Sequence, residues 1–159
     1  MGDPKGVLSW DVEAIAKALK ISENDVREYF TDGRRVSFIL ERRLAKEVLH
    51  GKLAPTEGAS YDLIDPEGNH WEVRSLTSRG IYFSPSYMVG SGRSFEESGF
   101  QRKLEDVSGF IVSDVESFPD IKFWFVRSEQ VKLWWNKGLL GSTTKITRDR
   151  ALALLRMVD

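Results

Sequence analysis

"YDLIDPEGNHWEVRS", residues 61–75, places two short runs of strand-forming residues on either side of Pro66-Glu67-Gly68. Proline suits the first position of a turn and glycine the position that needs a positive φ, so the stretch reads as a hairpin closed by a three-residue loop. In that register Asp65 faces Asn69 and, counting back along both runs, Asp62 faces Glu72. Directly opposed residues share one face of a sheet with Cβ atoms about 4.5–5.5 Å apart, where like charges destabilise the pair. A divalent cation would compensate them, and so would Arg74, which points to the same side as Glu72. A slip of one residue would send the two carboxylates to opposite faces. A surface hairpin with an ordinary Glu–Arg pair fits the same spacing and needs no function.

Working outward, the first fifty residues read as helical. Ser9 is placed to cap a helix with Val12, Ile15, Ala16 and Leu19 on one face, and Ser22 with Asp25 resembles a capping box opening a second helix through Val26, Tyr29 and Phe30. A third helix begins between residues 31 and 35. Its apolar stripe runs through Val36, Ile39, Leu40, Leu44, Val48 and Leu49 to a stop at Gly51. Beyond the hairpin, residues 81–83 suggest a further strand, and Ser94 with Glu97 suggests the cap of a helix running to residue 107. Residues 110–115 and 121–126 are continuous apolar runs, as expected of buried central strands. Residues 131–135 form a short helix or turn, and Thr147 caps a closing helix with Ala151, Leu152, Leu154, Leu155 and Val158 inward. The expectation is one α/β domain over residues 1–159, with a mixed central sheet flanked by helices. Within it, a helical segment (residues 9–33) precedes a core (residues 34–159).

Composition narrows the chemistry. The chain has 159 residues, 41% hydrophobic and 30% charged, which suits one globular domain with a substantial core. It has no cysteine, which removes disulfides, thiolate zinc sites and cysteine nucleophiles together. His50 and His70 are the only imidazoles, so a metal would be held by carboxylates, which suits a hard cation such as Mg²⁺. The opening MGDPKGVLSWD has neither the basic start nor the apolar run of a secretion signal, and no apolar stretch is long enough to cross a bilayer. A cytoplasmic protein without a membrane partner is expected. The net charge of −1 gives no bulk attraction to nucleic acid, but charge is segregated. Arg34, Arg35, Arg42 and Arg43 crowd one segment, whereas Asp11, Glu13, Glu23, Asp25 and Glu28 crowd the one before it.

Asp62 followed ten residues later by Glu72-Val73-Arg74 resembles the motif of the PD-(D/E)XK nucleases, in which two acidic residues and a lysine lie on adjacent strands of a hairpin. The order of elements over residues 36–126 is similar to that of small type II restriction endonucleases: a helix carrying a glutamate (Glu41), the hairpin, a helix, then central strands. The resemblance implies that Asp62 and Glu72, with the carbonyl of Val73, hold Mg²⁺, and that Glu41, Gln101 and Lys103 are accessory residues of the site. It also implies double-stranded DNA as substrate and a homodimer, since two copies of one site cut two strands. Arg74 departs from the pattern, because the family has lysine there. With a pKa above about 12 arginine is no general base, although it can hold a phosphate in a bidentate contact. Three readings stay open: Arg74 stabilises charge in an active enzyme, it impairs the enzyme, or another basic residue such as Arg79 or Lys103 supplies the lysine's function.

Other features bear on DNA. "IAKALKISENDVREYF" resembles a helix-turn-helix, but Lys20 and Ile21 stand where the turn glycine is usual, and Glu23, Asp25 and Glu28 would repel phosphates. Packing or dimerisation explains this segment better than DNA reading does. Arg34, Arg35, Arg42 and Arg43 in "GRRVSFILERR" are candidates for backbone phosphates. Arg79 and Arg93, in the glycine-rich "SRGIYFSPSYMVGSGRS", are candidates for groove contacts. The aromatics of "KFWFV" and "KLWW" suit a core or a subunit interface. Two rivals to a restriction enzyme remain: a repair or junction nuclease of the same fold, and a non-catalytic DNA-binding regulator using the N-terminal helices.

Overall fold

Leu63 pairs with Trp71 and Ile64 with His70, which is the register that the turn chemistry predicts. Gly68 sits at φ +86° and donates its N–H to the Asp65 carbonyl, while the Asp65 N–H reaches Asn69. The Asp65 carboxylate gathers the N–H groups of Glu67 and Asn69 and the indole N–H of Trp71. Local chemistry therefore closes the loop without help from the rest of the chain. Beyond Leu63 the regular ladder ends: the Asp62 N–H donates to the Trp71 carbonyl and the Asp62 carboxylate accepts the Val73 N–H, which leaves Asp62 beside Glu72.

The computed structural model describes residues 2–158. The order is β1 (Gly6–Ser9), α1 (Val12–Leu19), α2 (Glu23–Phe30), α3 (Gly33–Arg43, running on as a π-helical segment Leu44–Leu49), β2 (Lys52–Leu53), β3 (Leu63–Ile64), β4 (His70–Leu76), β5 (Ile81–Tyr82), α4 (Glu97–Asp106), β6 (Gly109–Asp114), β7 (Asp120–Arg127), α5 (Ser128–Asn136), β8 (Lys145–Ile146) and α6 (Arg148–Leu155). Six strands form one mixed sheet in the order β1-β7-β6-β4-β3-β2. Only the β4–β6 pair is parallel, and α4 lies in the connection between them. β5 and β8 pair separately.

The sheet has a core on each face. Leu8, Val12, Ala16, Val26, Val36, Leu40, Trp71, Val73 and Ile111 join α1, α2 and α3 to one face. Leu76, Phe110, Val112, Phe100, Val131 and Leu154 join α4, α5 and α6 to the other. Strand alternation produces this division: Trp71 and Val73 point one way, and Glu72, Arg74 and Leu76 the other. The segment before residue 34 shares the first core rather than standing apart from it. β6 is buried along its whole length, as its apolar run predicts. β7 lies between β1 and β6 and buries Ile121, Phe123, Trp124 and Val126, with Lys122 exposed within that run.

Several local expectations need correction. The first fifty residues are not all helical, since Gly6–Ser9 is a strand. Four residues carry too little alternation to declare themselves, and the strand exists because β7 offers a free edge. Ser9 caps nothing; its hydroxyl binds Asp120, and Asp11 caps α1 by accepting from Ala14. The Ser22–Asp25 box forms with both of its bonds. Ser94 does not cap α4, which starts at Glu97 without a side-chain cap. The Glu97 carboxylate, needed to complete a box, instead takes the indole N–H of Trp135 at 2.7 Å. Trp134 is buried in the core, and Trp135 packs against Phe95 and Phe100 within the same chain. Lys145–Ile146, not foreseen as a strand, pairs with β5.

Candidate active site

Three elements deliver the site. The hairpin brings Asp62 beside Glu72, α3 brings Glu41, and α4 brings Lys103. The N-terminus of α3 lies so close to β4 that a Cβ on Gly33 would come within 2.8 Å of the Ser75 side chain. Asp32 caps that end by accepting from Arg34 and Arg35 N–H. Val36, Leu40 and Leu44, all fully buried, then seat the helix and aim Glu41 at Asp62.

β3 covers only the first part of β4, and there the Asp62 side chain takes over the ladder. Its Oδ2 accepts the Val73 N–H at 2.8 Å. Glu72 is 5% exposed and Arg74 8%, yet both keep partners. Arg74 Nη2 donates to Glu72 Oε2 at 2.8 Å and to the Ser84 carbonyl at 3.0 Å, and Nη1 donates to the Val73 carbonyl at 3.1 Å. Its Nε is buried without a partner, and the guanidinium lies 4.9 Å from the Tyr82 ring centroid. Lys103 Nζ approaches the same Glu72 oxygen at 3.0 Å and donates to the Ser60 carbonyl at 2.7 Å.

This splits three neighbouring carboxyl groups. Burial raises the Asp62 pKa to about 8, helped by the charge of Glu72 and then of Glu41 and opposed by the Val73 N–H. Burial raises Glu41 as well, opposed by its hydrogen bond with Asp62. Burial also presses Glu72 upward, but Arg74 and Lys103 outweigh it and hold Glu72 below the ordinary carboxylate range. Glu72 is therefore the ionised member, and Asp62 holds a proton between two carboxylate neighbours.

Among the described residues no set of three or more His, Asp or Glu side chains is arranged as a metal centre. The donors still fit Mg²⁺, which uses one or two carboxylates and completes its shell with water and phosphate. The proton on Asp62 marks where a cation would be favoured. The Val73 carbonyl, expected as a third ligand, is engaged by Arg74. Gln101 lies half-buried on α4 and forms no hydrogen bond to these residues.

Asp62, Glu41, Val73 and Arg74 line a cleft of about 830 Å³, to which Arg34, Arg79 and Lys145 add positive charge and Glu28, Asp32 and Glu116 negative charge. Glu72 and Lys103 lie outside its lining. The remaining arginines serve the fold more than the cleft. Arg43 clamps Glu47 and the Ser9 carbonyl and stacks over Trp10. Arg42 folds onto Phe38, Arg35 pairs with Asp32 at 3.6 Å, and Arg93 binds the Ser86 carbonyl. Sequence reasoning missed Ser84 and Lys145, which no motif marks. Comparisons with known protein families, with curated proteins and with solved structures find no match to this chain.

Proposed function

We propose that this chain is a Mg²⁺-dependent endodeoxyribonuclease of the PD-(D/E)XK kind, similar to type II restriction endonucleases, acting on double-stranded DNA as a homodimer. The observation that carries the reading is Asp62 beside Glu72 at a hairpin next to the cleft, with Arg74 and Lys103 converging on Glu72. When bound by Asp62 and Glu72, Mg²⁺ would polarise the scissile phosphate and lower the pKa of a water. Glu41, at Asp62, is the accessory carboxylate. Arg74 faces the cleft and stabilises charge on the phosphate as an electrostatic and hydrogen-bonding group, not as a base. Lys103 reaches Glu72 from the helix that follows the hairpin and adds a second positive charge beside that of Arg74. It keeps Glu72 ionised.

The test is incubation of the protein with long unmethylated DNA in Mg²⁺, in Mn²⁺ and in EDTA, beside Asp62→Ala and Arg74→Lys. Discrete metal-dependent fragments are expected from the unaltered protein and none from Asp62→Ala, whose circular dichroism stays that of the parent. Metal-dependent cutting by Asp62→Ala, or none by the parent and Arg74→Lys alike, would overturn the reading.

A further inference from the structure

We infer that Thr144 is a positioning residue for Arg74, acting through Ser84, which adds a residue to the proposed nuclease site and rests on that reading. Thr144 is fully buried and stands at φ +66°, a left-handed conformation that β-branched residues rarely adopt. Glycine or asparagine would fill such a position without that strain. What threonine adds is a hydroxyl at one point in space.

Every bonding position of that hydroxyl is used. Thr144 Oγ1 accepts the N–H of Phe83 at 3.2 Å and of Ser84 at 2.9 Å. Ser84 Oγ donates to the Thr143 carbonyl at 3.1 Å, so the bond between the two hydroxyls leaves Thr144 the donor. A hydroxyl has one donor and two lone pairs, and here all three are engaged. The held segment then presents the Ser84 carbonyl to Arg74 Nη2 at 3.0 Å. Arg74 is anchored by Glu72, the Val73 carbonyl, the Ser84 carbonyl and the Tyr82 ring. Two of them lie in the segment joined to Thr144, since Tyr82 pairs with Lys145.

A strained residue persists where the surroundings over-determine it, and such residues concentrate at functional sites. Thr144 is tied only to residues 83 and 84, some sixty positions away in sequence. Its hydroxyl therefore reaches Arg74 through the Ser84 carbonyl. Loss of the hydroxyl frees the Ser84 carbonyl and lets Arg74 turn on Glu72, leaving Asp62 and its bond with the Val73 N–H in place.

The experiment reads Arg74 directly. In ¹⁵N spectra of the arginine side chains, hindered rotation should give Arg74 separate Nη resonances in the parent protein and in Thr144→Ser. These should collapse in Thr144→Val, and also in Thr144→Gly, which relieves the positive φ and so answers the objection that valine fails to fold. Cleavage supplies the second reading: about a tenfold loss in kcat at unchanged KM in Thr144→Val, rescue in Thr144→Ser, and no further loss when Thr144→Val is added to Arg74→Met. Separate Arg74 resonances in Thr144→Val and Thr144→Gly would overturn the inference whatever the cleavage assay shows. A full additional loss in the Arg74→Met background would overturn it too. Absence of cleavage in the parent protein counts against the nuclease reading alone, because the spectra still decide the role of Thr144.

Discussion

At the scale of single residues, Asp62 and Glu72 differ because of what touches them, not because of their own chemistry. Glu72 has two cations on one oxygen, whereas Asp62 has a backbone N–H and two carboxyl neighbours. The consequence for stability has a definite sign. Below about pH 4 Asp62 is protonated in both folded and unfolded chains. As pH rises from about 4 to 8 the unfolded chain releases that proton and the folded chain keeps it, so metal-free protein should lose a few kcal/mol of stability over that window. Asp62→Asn should flatten this slope and melt higher than the parent at pH 8 in EDTA. Mg²⁺, taking the proton's place, should raise the parent's Tm more at pH 8 than at pH 6. Thermal melts across pH with and without Mg²⁺ check both; a parent Tm that climbs from pH 5 to 8 in EDTA would contradict the raised pKa.

At the scale of elements, the hairpin is the unit on which the site depends. Its register was legible because Pro66, Gly68 and Asp65 specify the turn locally, and the observed pairs Leu63–Trp71 and Ile64–His70 follow from it. Gly68→Ala forces an alanine into φ +86°, where nothing crowds its Cβ. The loss should be about 1 kcal/mol from the backbone alone, visible as a lower urea midpoint at unchanged m-value. If register survives, cleavage per folded molecule is unchanged; if it slips, Asp62 and Glu72 part and cleavage disappears. The meeting of α3 and α4 at the hairpin was not legible in this way. Glu41 and Lys103 lie on helices whose exposed positions look alike in sequence, and only packing against opposite faces of the sheet selects one residue from each.

At the scale of the whole molecule, the cleft beside Asp62 and Glu41 has a lining that mixes acidic with basic residues. Such a surface has little electrostatic pull on a duplex until a cation offsets the carboxylates. DNA affinity should therefore rise at least tenfold when Ca²⁺ is added to the metal-free protein, as measured by fluorescence anisotropy, and Asp62→Ala should bind equally with or without Ca²⁺. The proposed homodimer of 18.1 kDa chains has its own check. Sedimentation should show twice the chain mass, and supercoiled plasmid should pass to linear DNA without accumulating nicked circles. A monomer that nicks would keep the site but refute the two-copy arrangement.

The sequence by itself determined what depends on neighbours along the chain: the turn and register of the hairpin, the Ser22–Asp25 cap and the helical stripe of α3. These rest on backbone preferences and short-range periodicity, which are written within a dozen residues. Tertiary structure alone decided the edge strand Gly6–Ser9, the pairing of Tyr82 with Lys145, and the approach of Lys103 to Glu72. It also decided that Arg43 and Arg93 are spent on the fold, and that a strained threonine at position 144 reaches Arg74 through Ser84. Contacts of that kind join residues tens of positions apart and arise only when two sheet faces are packed at once, so no local pattern records them.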